Sequence, residues 1–593
     1  MLSIVELAIK ELAVLKMIKG PWNDIYEQIA RYMFQRKQGF LNTHIGGEFY
    51  THDDVWDNTA GKALQTMISS IDGALWKDEG RTFRIVAPRQ ADKTEANKQF
   101  YKELNLRITE NIEHEEAMFG TARVEALTEK CAFGTGAIGC FSPPPGSKHK
   151  LEYRALCLKN LYIVEDARGR VVKEFYVEML TAHQLEEEFG LDILPDSVRA
   201  KLETFDYDTK FEVAWVIRPR KNPKGEGWRG YKYESMHFLV NDKVILRKHG
   251  YYSNPIIVSR FYKNSGEPYG RSAAFAALSP TVELSALVEM VSKGTELAIL
   301  PPWYVLDDGT FGNGMIDRSP NSIIPIDVTS SRITGMAPIG PVGTVGDMNA
   351  AMKLIELLME EINGHFLVDK LTDLNNSTRM TLGEAQMRNE LRSDLVGSVF
   401  SRDIQENLKP LARRSILVLD TQNELGVVRN SMEHMQVLMA KRIPLVIPDD
   451  LLKLRDQGVN IYGIEFISPA ARILRSEEYR GLMSLWQFAG AFGPVAPELL
   501  VRLDKSKTMD LVRDLGGAPE DALLSQEAFQ EAWDAHLKSQ EQNAQIAMAR
   551  EGAEIAKSTA AAKQLNAQAD ATAGGQNGLI NGGGAGVDPS MVM

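Results

Sequence analysis

Two motifs in this chain carry residues that could hold a cofactor or a metal. Residues 134–139 form a GxGxxG pattern, which binds dinucleotides when a strand precedes it and a helix follows it. Here helix-forming residues precede it and a proline-rich run at 143–146 follows it, so a turn leading into a strand is favoured over a cofactor site. His114 and Glu115 lack the second histidine that completes an HExxH zinc site.

Other signatures of catalysis are missing from the sequence. It contains neither the GxxxxGK[ST] loop that cradles nucleotide phosphates nor the GxSxG elbow of a hydrolase. The acidic pair Asp307 and Asp308 precedes a glycine but lacks the alternating ligands of a calcium loop, so it indicates a turn. We therefore expect no catalytic residue, no cofactor, no metal site and no enzymatic activity.

The chain between residues 269 and 426 instead shows three long helical patterns. In the first, Leu284, Leu287, Val288 and Val291 form one apolar stripe. Its start has two interpretations: Ser279-Pro280 as N-cap and first helical residue, or a helix from about Ser272 that kinks at Pro280. Prolines 301 and 302 end the pattern in either case.

The second helical pattern begins after Asp347, a favourable N-cap, and extends to Phe366. Its apolar positions keep a spacing of three and four residues, and Lys353, Glu356 and Glu360 lie off that stripe. A helix of about 22 residues would be ~33 Å long.

A small β insertion and a polar loop separate the helices. Trp303 and Tyr304 lie in a predicted strand that ends at the turn of Asp307 and Asp308. Residues 322–326 predict a second strand at a sheet edge, because Pro325 cannot donate a ladder hydrogen bond. Residues 369–379 are polar and show no periodicity.

The third helical pattern opens with a capping box formed by Thr381 and Glu384. We expect Pro410 to kink this helix, because proline removes one backbone hydrogen bond. Leu425-Gly426 is the predicted C-terminal stop.

The order of these elements resembles the head-to-tail connector, or portal, proteins of short-tailed bacteriophages. The resemblance covers about residues 45 to 500 and includes Tyr-Gly-Arg-Ser at 269–272 and Arg-Met-Thr-Leu-Gly-Glu at 379–384. Gly383 departs from the more β-branched start that the family usually gives the third helix. Further matching segments lie upstream, at 52–60, 83–85, 116–120, 133–136 and 166–172.

The resemblance implies a multidomain α+β fold of the portal type. Its parts would be a wing, a helical stem, a small α/β clip, a tunnel loop and a helical crown. The implied boundaries are 1–270 for the N-terminal wing (helical at first, β-rich at 150–262), 271–300 for the first stem helix, 301–344 for the clip, 345–368 for the second stem helix, 369–380 for the tunnel loop, 381–469 for a kinked wing helix and the return to the wing, 470–555 for the crown, and 556–593 for an Ala/Gly-rich disordered tail.

The resemblance also implies a function: a ring, typically a dodecamer, at one capsid vertex of the virion, assembled in the host cytoplasm. Double-stranded DNA would pass through it during packaging and ejection. The terminase and then a tail adaptor protein would dock on it, and the major capsid and scaffolding proteins would surround it. The implied site residues are Lys370, Asn375, Asn376 and Arg379 facing DNA from the tunnel loop, Lys353, Glu356 and Glu360 facing the stem channel, and Trp303, Tyr304, Asp307 and Asp308 facing partners from the clip.

The bulk properties of the chain are compatible with this function. A net charge of −12 disfavours tight duplex binding and is first a solubility charge, although an acidic lumen that repels phosphate is the alternative. The three cysteines favour reduced thiols over a disulfide. No apolar run reaches the ~18 residues of a membrane helix, so no membrane partner is expected.

Two segments outside the helical patterns keep open interpretations. The basic residues between 218 and 224 could touch nucleic acid, but a solvated hairpin loop is favoured. Leu485 and Phe488 indicate core or subunit interface. For the whole chain, the alternatives are another ring-forming tail adaptor or scaffold and, less favoured, a nucleic-acid-processing enzyme.

Overall fold

The structure is a computed structural model that describes most of the chain as two compact units, Met1–Phe488 and Ala489–Met593. The described residues are 3–34, 40, 55–76, 83–88, 90–91, 94–144, 146–221, 223, 230–307, 319–327, 339–341, 348–368, 400–439, 443–466, 476–492, 508–509, 511–512 and 526–573.

Helices form the first part of the chain and return after the central sheets. They are α1 Ile4–Met33, α2 Thr59–Leu75, α3 Glu95–Glu113, α4 Phe119–Phe133, α5 Ala182–Phe189, α6 Asp196–Glu203, α7 Ala273–Ile299, α8 Met348–His365, α9 Lys409–Thr421, α10 Met432–Met439, α11 Asp449–Asp456, α12 Ser476–Phe492 and α13 Gln526–Ala573.

Four small sheets contain the described strands. The strands are β1 Phe83–Val86, β2 Thr135–Phe141, β3 Glu152–Ala155, β4 Leu161–Glu165, β5 Val171–Thr181, β6 Lys210–Pro219, β7 Tyr233–Leu239, β8 Ile245–Tyr251, β9 Ile256–Arg260, β10 Trp303–Asp307, β11 Ile323–Asp327, β12 Ile339–Pro341 and β13 Gly463–Phe466. Their orders are β4-β5-β6-β7-β8, β3-β2-β9, β11-β10-β12 and β1-β13. The β-rich prediction for 150–262 is confirmed.

The five-stranded antiparallel sheet is buried on both faces. Val5, Ala8 and Leu12 of α1 pack on one face, against residues such as Phe175 and Phe238. These three positions recur at helical spacing, which explains why α1 lies flat on the sheet. The opposite face, through Tyr176, Trp215 and Ile217, joins the main core together with β2, β9 and the central helices.

The start of the first predicted helix is now settled. α7 begins at Ala273, with Ser272 as N-cap accepting a hydrogen bond from the Ala274 N–H, and it continues through Pro280. The interpretation with Ser279 as N-cap is therefore wrong. α8 is helical over Met348–His365 as the spacing predicted, and Asp347 lies outside the described residues.

In its described part, the third helical pattern contains a π turn before Pro410 and ends earlier than predicted. Residues 400–403 are helical, Ile404–Leu408 form a π-helical turn, and Pro410 falls in the first turn of α9. The π turn changes the backbone hydrogen-bond pattern just before Pro410, so the helix accommodates a residue that has no backbone N–H donor. The capping box of Thr381 and Glu384 lies outside the described residues.

The predicted stop at Leu425-Gly426 is wrong, because α9 ends at Thr421. Asn423 has a φ of 59°, and its N–H donates to the Asp420 carbonyl, while the Glu424 N–H donates to the Leu419 carbonyl. These are the two hydrogen bonds of a Schellman motif, in which asparagine occupies the left-handed position usually given to glycine.

Two further predictions about segments need correction. Asp307 is the last residue of β10 rather than part of a turn, and Asp308 lies outside the described residues. The expected disordered tail at 556–593 is wrong for 556–573, because α13 continues to Ala573. The alanines in this stretch explain the helix, since alanine has the highest helix propensity.

One described helix, Ala273–Ile299, is long and apolar enough to cross a membrane by length and composition alone. Its first half is part of the main core, where Ala274, Ala277 and Leu284 are fully buried. A core helix of a soluble protein passes the same test.

Candidate functional site

The Tyr-Gly-Arg-Ser motif, which directly precedes α7, anchors that helix to the core by crossing the GxGxxG turn. A Cβ on Gly270 would lie 2.2 Å from the Gly134 carbonyl oxygen, and the Gly270 N–H donates to Thr135 Oγ1 at 2.8 Å. Ser272 Oγ donates to the Ala132 carbonyl at 2.7 Å. Gly134 itself has a φ of 86°. The glycines therefore allow two backbone segments to cross, and the prediction of a turn followed by a strand is confirmed.

α7 and α8 leave this anchor as an antiparallel pair. The C-terminal part of α7 lies beside the start of α8, because Thr295 Oγ1 is 4.0 Å from Met348 Sδ. At the other end, Leu284 of α7 and Leu358 and Ile362 of α8 are buried in the main core. The pair thus extends from a fixed base toward the small sheet β11-β10-β12.

α8 has a charged face opposite its buried face. Lys353, Glu356 and Glu360 are exposed, and their spacing of three and four residues places them together on one face of the helix. Leu358 and Ile362 are buried on the opposite face. The two acidic residues and one lysine give this face a net negative charge.

The two flanks between these faces of α8 carry exposed apolar side chains, although the exposed Glu361 lies on the same flank as Leu354 and Leu357. Leu354 and Leu357 lie on one flank, with 41% and 56% of their surface exposed. Met352 lies on the other flank and is 57% exposed, although its spacing had placed it on the buried stripe. Sequence reasoning missed these flanks, because Leu354 and Leu357 fall off the apolar stripe and the pattern does not show which off-stripe residues stay exposed.

The small sheet separates two residues that the sequence had grouped as one partner surface. Trp303 pairs with Ile323 in β11, and Val305 pairs with Ile339 in β12, so Trp303, Ile323 and Ile339 lie on one face. All three are exposed. Tyr304 points to the opposite face, where a Cβ on Gly340 would meet its ring. β11 is an edge strand, as Pro325 predicted.

Other apolar helix faces are also exposed on the first unit. Val437 is the buried residue of α10, whereas Met432, Met435, Leu438 and Met439 of the same helix are exposed. On α12, Leu485 and Phe488 are exposed, which excludes the core interpretation and leaves the interface interpretation untested. On α1, Ile4, Leu7, Val14 and Ile18 form a second apolar face, turned away from the sheet.

Buried charges connect the third helical segment to the main core. Asp403, which precedes the π turn, forms an ion pair with Lys130 of α4, and both side chains are buried. Glu406 within the π turn accepts from Arg260 Nη2 at 3.0 Å, and Arg260 also pairs with Glu165. No local sequence pattern signals these contacts, since their partners lie far apart in the chain.

The residues predicted to face DNA lie outside the described part of the chain. They are Lys370, Asn375, Asn376 and Arg379. Within the described ranges, no three His, Cys, Asp or Glu side chains are grouped so that they could hold a metal. No disulfide joins Cys131, Cys140 and Cys157, all of which are described, and Cys157 Sγ donates to Glu129 Oε1 at 3.2 Å.

Comparisons with known proteins agree over most of the chain. The model of a family described as bacteriophage head to tail connecting protein matches residues 6–524. The portal protein of Salmonella phage epsilon15 is 24% identical over 573 residues, covering 93% of this chain and 94% of the relative. The probable portal protein of Bordetella phage BPP-1 is 22% identical over 538 residues, covering 86% and 87%.

A solved structure titled as the virion of a native gene transfer agent particle is also similar. It is 12% identical, with a TM-score of 0.30, and the match covers 71% of this chain and 94% of that chain. A superposition at this score carries no argument about the fold.

Proposed function

This chain belongs to the family of bacteriophage head-to-tail connecting proteins, and we propose that it works as a ring of identical subunits at one capsid vertex. Its function is that of a portal, the connector between phage head and tail. The ring, a dodecamer, encloses a channel for double-stranded DNA during packaging and ejection. It acts without catalysis, and the terminase supplies the energy.

The arrangement of faces on α8 is the observation that supports the ring. A helix in a cyclic channel needs one face toward its own subunit, two flanks toward neighbouring subunits and one face toward the lumen. α8 has a buried face and a charged face at Glu356 and Glu360, and its two flanks expose apolar side chains, Met352 on one and Leu354 and Leu357 on the other. A negative lumen repels phosphate, so DNA could slide through it.

The small sheet would then be the clip. It follows α7 and precedes α8, and its exposed face of Trp303, Ile323 and Ile339 offers an apolar surface to the terminase and later to the tail adaptor. Tyr304 would pack on the opposite face of this sheet, against Gly340, rather than contact a partner. Asp307 and Asp308 keep their proposed place at the partner end.

The remaining assignments extend the same proposal. Residues 1–270 and 381–469 form the wing, 271–300 and 345–368 the stem, and 470–555 the crown. Residues 369–380 form the tunnel loop, whose Lys370, Asn375, Asn376 and Arg379 contact DNA. The major capsid and scaffolding proteins bind the outside of the ring, which assembles in the host cytoplasm and stays in the virion.

Negative-stain electron microscopy of the purified protein and two variants tests the proposal. We expect ring-shaped particles with a central hole from the wild type. Leu357→Lys should abolish rings, because it introduces a charge into an apolar subunit contact. Glu360→Lys, the matched control on the same helix, should leave rings intact because it faces the lumen. Rings at equal yield from Leu357→Lys would contradict the placement of α8, and a wild type that never closes into rings in the presence of scaffolding protein would contradict the portal ring itself.

A further inference from the structure

One end of the five-stranded sheet carries a cluster of arginine and lysine side chains, although the chain has a net charge of −12. The strand register defines this end: Glu174 near the start of β5 pairs with Ile217 near the end of β6, and Pro219 pairs with Tyr233. The turn before β5 and the connection between β6 and β7 therefore lie side by side. We call this region the basic end; its described cations are Arg168, Arg170, Arg218, Arg220, Lys221 and Lys232.

The described carboxylates Asp166, Glu174 and Glu234 at the basic end are neutralised within the fold. Asp166 Oδ2 accepts from Arg170 at 2.8 Å, and Glu234 accepts from Arg218 at 3.1 Å. Glu174 is fully buried beneath this end, and its burial raises the pKa of its carboxyl to about 8, so it is mostly uncharged at neutral pH. The described residues of the basic end therefore present a positive surface.

Three cations at this end remain available to a partner. Arg168, Lys221 and Lys232 are exposed, and none of them forms an ion pair with a carboxylate of the described residues. Lys232 is held in place by its backbone, because its carbonyl accepts from the Arg220 N–H at 2.8 Å. Lys232 thus projects from hydrogen-bonded backbone next to the end of the sheet.

Two tyrosines adjoin these cations. The rings of Tyr231 and Tyr252 lie 3.9 Å apart between centroids, and Tyr252 is 49% exposed. An exposed aromatic ring beside cations suits a ligand that has both phosphates and flat bases.

We propose that the basic end binds the phosphate backbone of nucleic acid, with Arg168, Lys221 and Lys232 as phosphate contacts. This site goes beyond the channel function, because it lies on a different element from α8 and from residues 369–380. The sequence alone favoured a solvated loop for 218–224. The register of the sheet changes that preference, since it adds Arg168, Arg170, Lys232 and the tyrosine pair to the same end.

Two charge-reversal variants with the same net change test the proposal. Lys221→Glu with Lys232→Glu alters the basic end, and Lys210→Glu with Lys243→Glu alters the opposite end of the same sheet, where Lys210 starts β6 and Lys243 lies in the β7–β8 turn. Binding of a labelled DNA duplex to the full-length assembled protein is measured by fluorescence anisotropy over a series of salt concentrations. Circular dichroism and electron microscopy confirm that each variant folds and assembles like the wild type.

We expect the basic-end variant to lose at least about tenfold in affinity and its salt dependence to flatten by about 1.8 in log–log slope, which is two phosphate contacts. The opposite-end variant should change affinity less than about twofold. Equal losses in both variants would overturn the proposal, because the effect would then be one of net charge. It would also be overturned if wild-type protein bound no DNA, or if polyglutamate displaced the duplex at equal charge concentration, since an acidic protein surface would then be the better ligand.

Tyr252→Leu separates base stacking from charge. It should weaken binding of single-stranded DNA by about tenfold and leave the salt slope unchanged, because no cation is removed. An unchanged affinity for single strands would remove the tyrosine pair from the site, while a flattened salt slope would contradict its role in stacking.

Discussion

The buried pair of Lys130 and Asp403 shows what a single residue contributes to this fold. The two side chains are 3% and 1% exposed, and 273 residues separate them in the chain. Asp403 Oδ2 has no hydrogen-bond partner among the described residues, so Lys130 is the described cation that pairs with this carboxylate. A contact of this sequence separation leaves no periodic or local signature, which is why sequence reasoning could not find it.

We predict that Lys130→Met destabilises the first unit by about 3–5 kcal/mol, because it leaves the Asp403 carboxylate buried without a counter-charge. The double variant Lys130→Met, Asp403→Leu should recover most of that loss. Urea unfolding followed by tryptophan fluorescence measures both. Arg84→Met provides the control, since its pair with Glu465 is about one-fifth exposed and should cost far less. A double variant as unstable as Lys130→Met would show that packing rather than charge is lost.

Glu174 makes stability depend on pH in a defined direction. Burial raises the pKa of its carboxyl from 4.5 to about 8, so between these values the folded chain keeps a proton that the unfolded chain has released. Stability from this group is therefore fully present below about pH 4.5 and is lost as pH rises toward 8, by ~1.4 kcal/mol for each pKa unit.

Glu174→Gln should remove this loss, because glutamine stays neutral and can still accept from Asn254 Nδ2. We expect the variant to have a higher melting temperature than the wild type at pH 8 and a similar one at pH 5. Thermal unfolding of both proteins between pH 5 and pH 9 checks this. Parallel curves for the two proteins would assign the pH dependence to other groups.

At the scale of elements, periodicity predicted helices well and predicted their ends poorly. α7 and α8 follow their apolar stripes, because burial of Leu284, Leu358 and Ile362 against the core selects the helical period. The end of α9 depends instead on the backbone of one residue, Asn423, whose left-handed conformation closes the helix before Gly426. The π turn at Ile404–Leu408 likewise has no period that a sequence pattern could show.

The crossing of the GxGxxG turn and the Tyr-Gly-Arg-Ser motif is a contact between elements that tolerates no side chain. A Cβ on Gly270 would lie 2.2 Å from the backbone oxygen of Gly134, and neither backbone segment can move without breaking the anchor of α7. We predict that Gly270→Ala strongly destabilises the protein or prevents soluble expression.

Gly73→Ala is the matched control for this prediction. Gly73 lies inside α2, and nothing stands within 4 Å of an added Cβ, so alanine should stabilise the helix by up to ~1 kcal/mol through its propensity. Melting temperatures of the two variants measure the contrast. Equal melting temperatures for Gly270→Ala and wild type would show that the crossing can open without cost.

At the scale of the whole molecule, the sequence indicated the family and the order of parts but not which apolar residues stay exposed. Met432, Met435 and Met439 have the spacing of a core stripe, yet the structure buries Val437 of that helix instead. Which face of a helix meets the core is decided by distant elements. Apolar helix faces that stay exposed on a folded subunit are typical of a chain that buries them against neighbouring subunits.

The exposed methionines allow burial of these faces by neighbouring subunits to be measured. Dilute hydrogen peroxide oxidises them, and peptide mass spectrometry gives the extent of oxidation at each. In the single subunit, Met352, Met432 and Met439 are 57%, 80% and 78% exposed, and Met179 is 57% exposed on β5. We expect assembly into rings to slow oxidation of Met352 and of the α10 methionines several-fold, because subunit contacts exclude the oxidant. Met179 should oxidise at the same rate in both states, since no other large apolar side chain described on β5 is exposed with it. Equal rates at Met352 in rings and in dissociated subunits would mean that the flanks of α8 face solvent, and the ring would then have to close through other surfaces.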